Sequence, residues 1–187
     1  METARELFLH DLRDMLDAEQ QLVKALGMQA EESSRPDLKK AFQSHQAQTE
    51  TQVERLQQVF QELGQAAEEG ECHGIRGLIQ EHEVFLQESP SEDLIDIFNA
   101  GAALKVERYE TSAYEGLVRM ADQLGERKIS QLLKKTLREE QQTAKKMEVF
   151  GRKLKPEQLG AEEEEQEERT PRRGARASTR RRSRRAA

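Results

Sequence analysis

The chain has 187 residues, 35% of them charged and 4% aromatic, with no tryptophan and a formal net charge of −6. That length allows one domain of about 150 residues plus a tail, and the Glu, Gln, Lys, Arg, Leu and Ala content favours long solvated helices over a sheet. A single cysteine, Cys72, excludes an internal disulfide, and no apolar run nears the roughly 20 residues of a membrane span.

Four long amphipathic patterns follow one another. The first opens with a capping box, Thr3 answered by Glu6, and carries Leu7, Phe8, Leu12, Met15, Leu16, Leu22, Val23 and Leu26 at spacings of three and four. A break at Ser33-Ser34-Arg35-Pro36-Asp37 offers Ser34 as a cap with Asp37 as its answer. The second helix uses Leu38, Phe42, Val53, Leu56, Val59, Phe60 and Leu63 and ends at Gly64. Its stripe has a polar gap at His45, Thr49 and Gln52.

From Gln65 to Glu88 runs a long connection with a short amphipathic helix through Ile75, Leu78, Ile79, Phe85 and Leu86. Cys72 sits in this connector, where it reads as a surface thiol without assignable chemistry. Ser89-Pro90-Ser91-Glu92 reads as the next start, a capping box with proline at the first helical position. The third helix then presents Leu94, Ile97, Ala103, Leu104, Tyr114 and Leu117 inward and stops at Gly125. The fourth uses Ile129, Leu132, Leu133, Leu137, Met147 and Phe150. Short turns within each pair and a long link between pairs predict an all-α, ferritin-like four-helix bundle of two antiparallel hairpins joined by a crossover.

Five ionisable side chains interrupt these apolar stripes: Glu19, His45, Glu107, Glu110 and Glu140. A buried carboxylate costs several kcal/mol unless paired or metal-bound, on the order of the net stability of a domain. Counting from the two turns places Glu110 level with Glu140, Glu107 level with Thr143, and Glu19 between the levels of His45 and Thr49. Carboxylates and imidazole at one height in a bundle are the donor set that iron and manganese accept, as one ion or as a carboxylate-bridged pair. The competing reading is an ordinary polar core, because 36 of 187 residues are acidic and some fall near any stripe. His45 is as well explained by a hydrogen-bonded interior histidine, and His10, His73 and His82 have no converging partners. Tyr109 and Tyr114 read as packing residues, with the option of hydrogen bonding to a metal ligand.

The segments Asp17-Ala18-Glu19-Gln20-Gln21-Leu22, His45 with Gln48-Thr49, Gln52-Val53-Glu54-Arg55-Leu56, Val106-Glu107-Arg108-Tyr109-Glu110 and Leu137-Arg138-Glu139-Glu140 together resemble the YciF/YciE-like branch of the ferritin-like superfamily. So do Ala113-Tyr114 and Ala121-Asp122-Gln123-Leu124-Gly125, and the resemblance spans residues 4 to 152. It implies a commonly dimeric bundle in bacterial proteins linked to stress responses. Relatives such as the rubrerythrins use a carboxylate on the first helix, Glu-x-x-His on the second, paired glutamates on the third and Glu with a following His on the fourth. Glu19, Glu107, Glu110 and Glu140 match that pattern. Thr49, Gln52, Thr143 and Ala144 depart from it, and His45, one turn earlier, is the candidate substitute. The expected centre is therefore reduced relative to a rubrerythrin, with peroxidase or ferroxidase chemistry in doubt.

Residues 155–187 form a tail that is expected to be disordered, outside a bundle of residues 1–154. Seven acids between Glu157 and Glu168 precede nine arginines with no acid among them, including Arg172, Arg173, Arg176, Arg180, Arg181, Arg182, Arg184 and Arg185. Such a block suits nonspecific contact with nucleic acid, or self-neutralisation by the adjacent glutamates. With no basic-then-apolar amino-terminal segment, the expected setting is the cytoplasm. Two functions stay open: a metal-binding stress protein that handles iron or peroxide, or a noncatalytic dimeric scaffold whose tail binds nucleic acid or an acidic partner.

Overall fold

The computed structural model describes residues 1–68 and 70–154. The expected tail, with its arginines, lies outside the described residues. Five helices make up the rest: α1 (Ala4–Glu32), α2 (Pro36–Glu62), α3 (His73–Gln87), α4 (Glu92–Gln123) and α5 (Arg127–Lys153). α1 packs along α2 and α4 along α5, and the hairpins join through α1 against α4 and α2 against α5. Around the bundle the order is therefore α1, α2, α5, α4, with the crossover helix α3 laid over the α1/α4 side. This is the ferritin-like bundle that the turn spacing predicts.

The stripes do the packing. Phe8, Leu12, Leu38, Phe42, Leu56, Phe60, Leu133 and Met147 are all buried, each contributing roughly 1.5–3 kcal/mol of hydrophobic stabilisation. Leu7 and Leu94, expected inside, are instead 43% and 46% exposed. Both occupy the first turn of a helix, where Phe8 and Asp96 take the inward positions.

Thr3 and Glu6 form the expected capping box: Glu6 N donates to Thr3 Oγ1 at 3.1 Å and Thr3 N to Glu6 Oε2 at 3.0 Å. Gly64 and Gly125 follow α2 and α5's partner α4 with φ of 64° and 78°, the left-handed conformation that terminates a helix without a Cβ penalty.

The other two starts differ from expectation. α2 has Arg35 at its N-cap with no side-chain cap, and Ser34 turns away from it. Asp96 of α4 serves instead, accepting from Ser34 N at 3.1 Å, Ser34 Oγ at 2.6 Å and Arg35 N at 3.1 Å. A residue on the second hairpin thus closes the turn of the first. At α4, Ser89 adopts a left-handed φ of 55° and Pro90 stays outside the helix, so Ser91 is an N-cap without a side-chain bond.

α3 is anchored at both ends. At its start, Cys72 N donates to Asp17 Oδ2 at 2.7 Å, and Cys72 Sγ lies 3.2 Å from Tyr109 Oη. Cys72 is fully buried, not the surface thiol expected, and burial pushes its thiol pKa up. Gly70 and Gly74 allow this approach: a Cβ on Gly74 would lie 2.6 Å from the Tyr109 ring, and one on Gly70 would overlap the Arg13 carbonyl. At its far end, buried His82 brings Nε2 to 3.0 Å from Glu32 Oε2, and Phe85 stacks on Phe98 with centroids 3.9 Å apart. His82 has a structural partner that the sequence did not reveal.

Candidate metal centre

Midway along the bundle all four long helices turn polar groups inward. Glu19 comes from α1, His45, Thr49, Gln52 and Arg55 from α2, Glu107, Glu110 and Tyr114 from α4, and Glu140 and Thr143 from α5. Every one of them is buried. Each stripe continues above and below with leucine, phenylalanine or methionine, so the helices are held in register by apolar packing that does not involve the centre.

The tightest group is His45, Glu107 and Glu140, which can each offer one ligand atom with all three atoms within 4.8 Å of one another. Counting from the turns set Glu107 level with Thr143 and Glu110 with Glu140. The contact instead joins Glu107 to Glu140, one turn from that expectation, while Glu19 and Glu110 stand beside the group. The four glutamates act on one another electrically. Glu19 and Glu110 each feel Glu140, and Glu110 feels Glu19 and Glu107 as well.

Hydrogen bonding divides these residues into held and unheld. Gln52 Nε2 donates to Glu140 Oε1, and at 3.3 Å to Glu139 Oε2. Arg55 Nη1 donates to Glu139 Oε2 at 2.8 Å and to Thr136 Oγ1 at 2.5 Å. Tyr114 Oη donates to Glu19 Oε1, so it does bond to a candidate ligand. Against this, both oxygens of Glu107, one oxygen each of Glu19, Glu110 and Glu140, and both ring nitrogens of His45 have no hydrogen-bond partner. His45 Nε2 lies only 3.1 Å from Glu107 Oε1, but without the alignment a hydrogen bond needs.

The electrostatics follow from this crowding. Burial, then repulsion from Glu140, raises the Glu19 and Glu107 carboxyls well above their ordinary range. Burial and then Glu19 do the same to Glu110. Glu140 rises to about 7, mainly by burial, with the adjoining Glu107 carboxyl, then Arg55 and the Gln52 amide, restraining the shift. Burial and nearby Lys146 lower His45 to about 4, so its imidazole is neutral at pH 7. Neutral imidazole and carboxyl groups close enough to share an ion are a donor set that a divalent metal can organise, and a metal would replace the missing hydrogen bonds. The residues fit a divalent metal ion.

Thr49, Gln52 and Thr143 line the centre without offering a carboxylate or an imidazole. In this chain Gln52 orients Glu140 and, with Arg55, supplies the positive side of the site. Arg55 is the residue sequence reasoning passed over. Its signal is a lone arginine within the apolar stripe between Gln52 and Leu56.

The fold recurs in solved proteins. The chain is 38% identical over 144 residues to Protein YciF of Escherichia coli strain K12, covering 76% of this chain and 87% of YciF. The crystal structure of that E. coli stress protein superposes with a TM-score of 0.79 at 35% identity, over 82% of this chain and 98% of YciF. YcfI of Rhodopseudomonas palustris superposes with a TM-score of 0.76 at 37% identity, covering 79% of this chain and 94% of its own. Among the described residues no helix is long and apolar enough to cross a membrane. With residues 3–159 matching the profile of the Domain of unknown function DUF892, the chain belongs to that family, as a ferritin-like relative of YciF.

Proposed function

We propose that this protein is a ferritin-like, stress-associated metal-binding protein that holds iron or manganese between His45, Glu107 and Glu140. Glu19 and Glu110 complete the ligand set and extend it toward a second ion. One observation carries the reading: His45 and Glu107 are buried at the group's centre, and no group outside the cluster hydrogen-bonds any of their four side-chain donor or acceptor atoms. Unpaired buried polar atoms cost about 1–3 kcal/mol each, more when charged, so a cluster of them needs a ligand or protons to be stable.

Bound iron or manganese would supply a redox-active Lewis acid suited to peroxide or dioxygen. The chain's own residues set the conditions. The Glu107 carboxyl, Arg55 and Gln52 keep Glu140 the most readily ionised of the four glutamates, and Tyr114 fixes one oxygen of Glu19 so that the other stays free.

The test is elemental analysis of full-length protein purified without chelator, alongside a Glu107→Ala/Glu140→Ala variant whose folding is checked by circular dichroism. The wild type should retain about one to two metal ions per chain, and the folded variant almost none. Wild-type protein that stays empty after anaerobic Fe(II) reconstitution would sink the reading. So would a variant with full metal content.

A second proposal concerns the segment beyond Leu154. The nine arginines of residues 169–187, with no acid among them, favour nonspecific nucleic-acid contact and, with a homodimeric bundle, bivalent attachment. Deleting residues 169–187 should abolish retention of DNA at low salt; unchanged retention removes the tail from the account.

A further inference from the structure

The face of the centre opposite α3 has its own chemistry. Between α2 and α5 lies a cleft in which Ser44, His45 and Gln48 face Thr143, Lys146 and Phe150. About 70 Å³ of it admits water-sized molecules, room for about two waters or one ligand of two or three heavy atoms. His45 is the one residue that both lines the cleft and belongs to the three-residue metal group. The wall of the cleft is therefore the wall of the centre.

No carboxylate lines this cleft. Its only charged lining residue is Lys146, exposed at the rim. The other polar groups are the Gln48 amide, the Ser44 hydroxyl and Thr143, whose hydroxyl already donates to the Glu139 carbonyl at 3.1 Å. A metal cation approaching here would meet a like charge and no carboxylate. A small anion would meet an ammonium, an amide and a hydroxyl, with an imidazole beyond.

We infer that the α2/α5 cleft is a port for a small anion of two or three heavy atoms, which reaches the metal centre past His45, and that metal ions enter by another path. The cleft rests on the metal reading for its destination but not for its own binding groups, and the two can be tested apart.

Azide is the probe, added to isotope-labelled full-length protein in metal-free and iron-loaded forms. In both, amide resonances of Ser44, Gln48, Thr143 and Lys146 should shift together and saturate. Lys146→Glu should weaken azide binding by about tenfold or more, since it reverses the only charge at the mouth. Ser44→Phe, a rim substitution that fills the cleft, should abolish the shifts. Ser44→Phe should keep the wild-type metal content. Shifts scattered over the surface, or untouched by either substitution, would overturn the port. Iron retained with no azide response overturns the port and leaves the metal reading standing. Azide shifts at the cleft in a protein that never holds iron support the anion site and overturn the metal reading.

Discussion

Two acids on α4, Asp96 and Glu107, are equally hidden from solvent and differ in almost everything else. Asp96 is met by three donors from the α1–α2 turn, two of them backbone N–H groups. Glu107, three turns further along, has no hydrogen bond from outside the cluster to either oxygen and faces a second carboxyl and a neutral imidazole. Burial costs both, but only Asp96 is repaid by the fold itself. The contrast separates a structural acid from one whose partner is a ligand. Burial does not distinguish them; satisfaction does.

The largest effect should come from removing the satisfied acid. Asp96→Ala strands the Ser34 and Arg35 amides, and we predict a loss of about 3 kcal/mol in guanidinium unfolding with metal content per folded chain unchanged. A loss below about 0.5 kcal/mol would mean that the clasp is ornamental.

Removing the unsatisfied acid should have the opposite sign. In chelator-treated protein, Glu107→Gln should raise stability by about 1–2 kcal/mol at pH 8, because it deletes a buried carboxyl that repels Glu140. If it destabilises the metal-free protein as Asp96→Ala does, the two acids are not different in kind.

The same comparison predicts a pH profile. Glu19, Glu107 and Glu110 have raised values and Glu140 lies at about 7, so their protonated forms stabilise the metal-free fold at low pH and that support is lost as pH rises through those values. His45, lowered to about 4, works the other way, but only between about 6.5 and 4. Above pH 6.5 the carboxyls act unopposed. Chelated protein should therefore lose stability from pH 6.5 to 8, by up to about 1.4 kcal/mol per pH unit for each carboxyl titrating there. Metal-loaded protein should run the opposite way, as protons stop competing for the ligands. A flat profile for the chelated form would contradict the raised values. The smallest effect belongs to Tyr114→Phe, which removes one bond to Glu19 and should cost about 1 kcal/mol by thermal melting.

Much of this was legible in the chain. The turns at Gly64 and Gly125, the Thr3–Glu6 box and the crossover helix through Ile75 and Leu86 follow from local spacing, which governs local structure. Residue counting gave the height of Glu19, His45, Glu107, Glu110 and Glu140 along the axis to within one turn. It could not give the rotation of each helix, so it paired Glu140 with Glu110 when the closest group holds Glu107. The Asp96 clasp, the His82–Glu32 contact and the Cys72–Tyr109 contact join residues far apart in sequence, and no periodicity encodes which distant partner a polar side chain will find.

The glycine at position 70 carries a consequence for comparing chains of this kind. Because a side chain there would occupy the space of the Arg13 carbonyl, the connector can lie on α1 only where that position is bare. Replacing Gly70 by alanine or anything larger would lift the strap from its seat while every helix kept its own preference. A sequence with the same four stripes but a bulky residue at this point should therefore be assigned a different path between its hairpins, however closely its acids align.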